Sequence, residues 1–408
     1  MPIKISHYHL ALFCILLMMT GLMVSRALLS IGMAGIFLTA LFNPDVKKHL
    51  KMYSSNPSIW VFGALFLIYP LSLLWSDDWN EAIIRINARV AFLLLPFGFL
   101  SLRNIKKQHF YGLLYYFVAV LLLTSLFVLG RYILSLDTFS DIYSVYKTGR
   151  VMKTPYSHVR YSLLAAFAVY IGGYLYLKKE ETRFRYQSSI LIFFVFFLIT
   201  FLHLLAVRSG LLALYTGGTY LLFRYAIVKK RWLIVFPSLL IILLVPLLSY
   251  KYIPSFQGKI NYMVYDWKEY FEKGNTSGLS DATRLLSIER GVKTGIANFW
   301  LGTGIGDLKA ETDKLYKDSP DISPNKRLPH NQFVWVFAST GIIGLGLFLI
   351  LLFYPLMHQH NYRNPMVSLL YIFIITSFIT EATLEEQIGS CFFLIFALLF
   401  NINQHTKS

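Results

Sequence analysis

Apolar stretches long enough to cross a bilayer recur from one end of the chain to the other, and that recurrence leaves few architectures open. A hydrocarbon core takes about 20 apolar helical residues per crossing, because each backbone N–H and C=O inside it must be satisfied within its own segment. Candidate spans lie near 8–24, 27–43, 58–75, 83–100, 109–130, 160–177, 188–206, 210–227, 232–250, 332–356, 365–380 and 387–402. The 408 residues are 56% hydrophobic and only 14% charged. A soluble domain with that balance would have to cover its surface with apolar side chains. The expectation is an all-α polytopic membrane protein with about twelve transmembrane helices. The first apolar run lacks a small-x-small cleavage site and leads straight into a second, so no cleavable signal peptide is expected. Cys14 and Cys391 fall inside apolar runs and imply neither a disulfide framework nor a metal site.

Lysine and arginine in short connections set the orientation. One alternate set of loops holds Lys47, Lys48 and Lys51, then Arg103, Lys106 and Lys107, then Lys178, Lys179, Arg183 and Arg185, then Lys229, Lys230 and Arg231. Those loops are read as cytoplasmic. Residues 1–250 then carry helices one to nine, residues 251–331 form one large outer loop, and residues 332–408 carry helices ten to twelve. The net charge of +17 is largely this cytoplasmic collar facing anionic lipid, not a nucleic-acid surface.

The outer face breaks the charge bias. Its connections and helix ends carry Arg26, Arg85, Arg89, Arg131, Arg160 and Arg208, with hardly a lysine. Arg85 and Arg89 are one helical turn apart and share a face. Arginine's planar fork binds phosphate oxygens in pairs and keeps its charge when partly desolvated. The set suggests a diphosphate-like headgroup, since ionisable groups at membrane depth are costly. The alternative for any one of them is snorkelling, or pairing with Asp77, Asp78 and Glu81.

The large outer loop opens with "GKINYMVYDWKEYFEK", which puts Ile260, Met263, Val264, Trp267, Tyr270 and Phe271 on one helical face. Such a helix lies on the membrane surface or packs within the loop. In the following stretch Ser280 or Asp281 can cap a helix with Arg284 in its first turn, close to free amides that suit phosphate. The run "GTGIGD" is read as a sharp turn and not as a nucleotide site, because it follows a helix rather than a strand and lacks the third glycine's spacing. Residues 308–328 are polar, with Pro320, Pro324 and Pro329 nearby, and read as a mobile flap.

Three stretches carry a resemblance. "LLAVRSGLLAL" holds Arg208, "SDATRLLSIERGVKTGIANFWLGTGIGD" holds Asp281 and Arg284, and "RLPHNQFVWVFASTGIIGLGLFL" holds His330 and Asn331, then Gly341 and Gly344. In order, spacing and sidedness they resemble the O-antigen ligase and polymerase family of bacterial envelope glycan enzymes, as does "LSLLWSDDWNEA" after the third helix. The resemblance implies a fold related to polyprenyl-dependent glycosyltransferases that lack a cytosolic nucleotide-sugar domain. It also implies a multi-pass protein of the bacterial inner membrane whose site faces the periplasm. The implied donor is a glycan on undecaprenyl diphosphate; the implied acceptor is lipid A-core or a second lipid-linked glycan. Carried over, Arg208 and Arg284 match diphosphate-binding arginines and His330 the catalytic histidine. Leu328 and Pro329 stand where ligases often place a second histidine, which leaves ligase and polymerase both open.

The chemistry is consistent with those residue types. A sugar on diphosphate has a good leaving group, so transfer requires an acceptor hydroxyl deprotonated as it attacks C1 and charge stabilised on the departing diphosphate. Histidine can take that proton near neutral pH, and arginines can act where many glycosyltransferases use a metal. No metal or other cofactor is expected. Asp281, Glu381, Glu385 and Glu386 remain candidates to orient His330 or to replace it. A transporter is disfavoured because the oversized loop has no counterpart in the first half. A peptidoglycan-type polymerase would be expected to rely on a loop carboxylate instead.

Overall fold

The structure is a computed structural model that describes residues 6–134, 152–178, 186–274, 276, 278–317 and 327–405. Lys179, Arg183, Arg185, Pro320 and Pro324 lie outside the described residues. The chain folds as α1 (His7–Gly21), α2 (Arg26–Leu41), α3 (Val46–Ser55), α4 (Pro57–Leu71), α5 (Trp79–Asn87), α6 (Ala91–Gly98), α7 (Lys107–Leu134), α8 (His158–Lys178), α9 (Gln187–Leu205), α10 (Arg208–Lys229) and α11 (Val235–Tyr252). The expected outer loop contains α12 (Pro254–Lys273), α13 (Ser280–Ala297) and α14 (Leu308–Lys317), and the chain closes with α15 (Gln332–Met357), α16 (Pro365–Thr380) and α17 (Gln387–His405). Among the described residues there is no strand.

Among the described residues seven helical segments are long and apolar enough to cross a membrane, or eight if α2 and α3, bent by 105°, count as one span. The apolar helices at 7–21, 365–380 and 387–402 are shorter. Length and composition therefore account for seven or eight of the twelve expected spans. The bundle packs around α17, whose Phe396 ring meets Phe117 of α7 at 4.8 Å and Phe167 of α8 at 4.9 Å in edge-to-face geometry. This arrangement matches the quadrupoles of the rings and fills the centre with large, rotationally fixed groups.

Two expected spans are broken. The stretch expected at 83–100 divides into α5 and α6 at residues 88–90, where Arg89 turns inward and is fully buried. The helix expected at 332–356 is interrupted at Gly341, whose φ is 66°. The break admits the glycine turn. Thr303 N–H donates to Ala338 O at 3.0 Å, Gly304 N–H to Ser339 O at 2.9 Å, and Ile342 N–H to Phe299 O at 2.8 Å. The carbonyls that a continuous helix would have used internally are thus satisfied by the loop. The same turn holds the connection between α4 and α5: Ile305 N–H donates to Ser72 Oγ and Gly306 N–H to Ser76 Oγ, both at 3.1 Å, and Asp307 accepts from the amides of Asp77 and Asp78.

Gly302 has φ 70°, and a Cβ there would stand 2.4 Å from the backbone of Ser339 and Thr340. Gly302→Ala combines a left-handed conformation, worth about 1–2 kcal/mol for an L residue, with a backbone clash. It is expected to lower the thermal midpoint of the detergent-solubilised protein by several degrees, which a thermofluor melt would read. An unchanged midpoint would mean that the turn is not clamped into the α15 break.

Two readings of the loop are corrected. Residues 308–317 are not a mobile flap; they form α14, and Leu308, Thr312 and Tyr316, one turn apart, are buried. Neither Ser280 nor Asp281 caps α13 with its side chain. The buried Asp266 of α12 does so from outside, accepting from Asp281 N–H at 2.8 Å. That frees the Asp281 carboxylate for another partner. On α12 Asp266 and Glu269 are buried, Val264, Trp267 and Phe271 are 56%, 46% and 73% exposed, and Ile260, Met263 and Tyr270 are half-buried. An apolar outer face of this kind suits the interface of a bilayer.

Candidate active site

Four helix starts converge at one end of the bundle. The α9–α10 connection is only Ala206 and Val207, and Ala206 takes a left-handed conformation (φ 49°) that ends α9 and places Arg208 at the first position of α10. The starts of α8, α13 and α15 contribute His158, Asp281 and the adjoining His330. Each start carries the positive end of a helix dipole, with the leading amides of α13 and α15 already taken by Asp266 and Asn331. Together with α12 they enclose a cavity of about 720 Å³ lined by Arg208, Lys259, Asp281, Arg284, His330 and Glu381 among others.

The charged groups are held in a chain. Arg208 forms a two-pronged pair with Asp281, one contact being Nη2 to Oδ1 at 2.7 Å. Arg284 Nη1 lies 3.7 Å from the same carboxylate, and its Nη2 donates to Glu381 Oε1 at 3.2 Å. The other oxygen of Glu381 is 3.1 Å from His330 Nδ1. Arg208 and Arg284 keep 37% and 29% of their side-chain surface exposed, against 8% for Asp281, so the guanidinium heads reach the cavity while the carboxylate lies behind them. Burial alone would raise the Glu381 carboxyl, but the His330 hydrogen bond and the charges of His330, Arg284 and Arg160 outweigh it and hold it below its usual range. Its stabilising pairing is therefore complete above the ordinary carboxylate pKa and is lost as pH falls through the depressed one.

The histidine is fixed through its backbone. His330 N–H donates to Ser287 Oγ of α13 at 3.2 Å. Pro329 sits against Gly291, where a Cβ would come within 2.4 Å of the proline ring. Asn331 caps α15, accepting from the amides of Phe333 and Val334 at 3.0 and 3.1 Å. Its side chain is thereby committed to the turn, with a further donation to Ile379 O at 3.3 Å.

The remaining arginines of the sequence reading do not line this cavity. Arg85 pairs with Glu81 at 2.9 Å and borders a second, smaller cavity. Arg89 lies between the rings of Tyr69 and Trp335, 4.0 and 4.5 Å from their centroids, and pairs with the nearly buried Glu385. Arg160 pairs with Glu386, which Arg26 also reaches at 3.3 Å. Each glutamate of "EATLEEQ" thus meets a different cationic group.

Lys259 was not singled out in the sequence. Its Nζ donates to Leu205 O, a carbonyl at the end of α9, at 2.6 Å. Burial and the nearby Arg208 push it down to about 8. It follows Gly258 on the amphipathic stretch, where it is one of nine lysines between residues 251 and 331 and nothing local sets it apart. Among the described residues no group of three or more His, Cys, Asp or Glu is placed to hold a metal ion.

Fold and site together define an all-α polytopic membrane protein with a charged cavity at the ends of its helices. Residues 192–349 match the family model described as O-antigen ligase, which bears out the resemblance read from the motifs. The match takes in Arg208, Lys259, Asp281, Arg284 and His330; Glu381 lies beyond it. It supports an activity of the O-antigen ligase or polymerase type, with glycan and lipid substrates in a membrane setting. No curated protein matches the chain.

Proposed function

We propose that the protein is an O-antigen ligase-type glycosyltransferase of the bacterial inner membrane, moving a glycan from undecaprenyl diphosphate to an acceptor hydroxyl on lipid A-core at the periplasmic face. The single observation that carries this reading is the gathering of Arg208, Lys259, Arg284 and His330 around one cavity at four helix starts. Three cations stand there against the two carboxylates of Asp281 and Glu381. The surplus positive charge and the helix dipoles favour a diphosphate.

In this reading Glu381 accepts from His330 Nδ1–H and leaves Nε2 as the base. The acceptor hydroxyl loses its proton to Nε2 as its oxygen bonds to C1 of the donor sugar. The C1–O bond to diphosphate breaks with inversion, and its electron pair leaves on an oxygen facing Arg208 and Arg284. The arginines supply the charge stabilisation, so no metal is required. Glu381 is a positioning residue, and Asp281 sets the angle of the two guanidinium forks.

Glu381→Gln is expected to slow transfer roughly tenfold or more, the scale of one charge-assisted hydrogen bond. The loss should fall on kcat with KM for both substrates little changed, as expected of a group that orients the base. A raised KM with kcat unchanged would give Glu381 a substrate-binding role instead.

The second reading is an O-antigen polymerase, favoured by Leu328 and Pro329 in place of a second histidine. A deletion strain separates the two. Loss of polymer from lipopolysaccharide with polymer retained on undecaprenyl diphosphate is expected for a ligase, whereas cores capped with single repeats would identify a polymerase.

A further inference from the structure

A second cavity of about 370 Å³ shares His330 and Glu381 with the first, and no other lining residue. We infer that it is the acceptor subsite, and that it selects a sugar carrying an anionic substituent. This rests on the transferase reading above. A base that takes a proton from one substrate while that substrate attacks another has to stand between them. The two linings also differ in the required sense. The first cavity offers Val159, Val207, Met263, Trp267, Leu285 and Ile288 beside its charges, fit for a lipid-linked donor. The second is lined mainly by charged and polar groups.

The charges of the second cavity can be paired off. Arg85 is matched by Glu81, Glu385 by Arg89, Glu386 by Arg160 and Arg26, and Glu381 by Arg284 and His330. What is left is Lys309 and Arg327 against the lone carboxylate of Asp313. Among the described residues neither cation has an ion pair. Tyr316 Oη donates to Arg327 O at 3.0 Å, tying the backbone of Arg327 to α14, which also carries Lys309. The two cations therefore sit on one frame facing the shared dyad. A carboxylate or phosphate on the acceptor sugar would complete the pairing that the protein leaves open.

The test uses the full-length protein in nanodiscs and three probes: glucose, glucuronate and glucose 6-phosphate. Binding is followed by saturation-transfer NMR with and without saturating undecaprenyl diphosphate. The wild type is expected to prefer a charged probe over glucose by roughly tenfold or more, and the stronger of the two charged probes separates carboxylate from phosphate. Lys309→Ala/Arg327→Ala should lose that preference, Lys309→Arg/Arg327→Lys should keep most of it, and Arg208→Ala should leave it unchanged. Equal binding of all three sugars by the wild type would overturn the inference. So would a preference that survives the double alanine change or disappears in Arg208→Ala. Undecaprenyl diphosphate binding in the same samples reports on the donor reading separately: a lost sugar preference with intact diphosphate binding sinks the acceptor subsite alone, and the converse sinks the donor site alone.

Discussion

His330→Gln is expected to cut glycan transfer by about 10²–10⁴-fold while leaving donor affinity intact, the usual cost of removing a general base. Glutamine keeps a hydrogen-bonding group that can still meet Glu381, which lies 3.1 Å from the imidazole, but it cannot accept a proton at neutral pH. These anchors do not depend on the imidazole: His330 N–H reaches Ser287 Oγ, and Asn331 caps α15 through its side-chain Oδ1. The variant should therefore fold and insert normally, and steady-state transfer beside donor binding reads the effect. If most of the wild-type rate survives, the base lies elsewhere. Glu381, which lines both cavities, is then the first candidate, followed by Asp281 in the first cavity and Glu385 and Glu386 in the second.

Replacing Arg208 or Arg284 with alanine is expected to weaken donor binding by roughly 10- to 150-fold each, from a charge-assisted contact worth about 1.5–3 kcal/mol. Arg208→Ala should be the more damaging. It also leaves Asp281, only 8% exposed, without its two-pronged partner and pointing negative charge at an anionic ligand. Lysine at either position should restore part of the activity, because it keeps the charge without the fork. Donor titration monitored by intrinsic tryptophan fluorescence would measure this, Trp267 being part of the lining. Unchanged donor affinity in both alanine variants would remove the anion site.

How much of this was readable from sequence depends on what each residue answers to. Arg208 and His330 could be found because each begins or precedes a helix beside an apolar run, where a charge has no routine use, whereas Arg284, the fifth residue of α13, was marked by the motif that holds it. Arg89 carried the same signal and has a different situation. A residue that turns inward at a break in a span and one that faces a cavity look alike in sequence, and only the packing of Tyr69, Trp335 and Glu385 around it distinguishes them. Glu381 was one of three glutamates in a short loop, and nothing local marks which of them meets the histidine. The choice between the two settings of α12 was hidden for a related reason. Periodicity reports that a helix has an apolar face, but not whether that face meets protein or lipid. The break at Gly341 depends on a loop some forty residues away in the chain inserting its amides, a non-local event that no local pattern specifies.

The most direct test of the central claim is reconstitution of the purified protein in vesicles with an undecaprenyl-diphosphate-linked glycan and rough lipopolysaccharide. Free undecaprenyl diphosphate and glycosylated acceptor would be quantified in the same reaction. A glycosyltransferase of this type should release one undecaprenyl diphosphate for every glycan transferred, with both products falling together in His330→Gln. Movement of intact lipid-linked glycan between leaflets with no release of undecaprenyl diphosphate would contradict the account and make the protein a transporter.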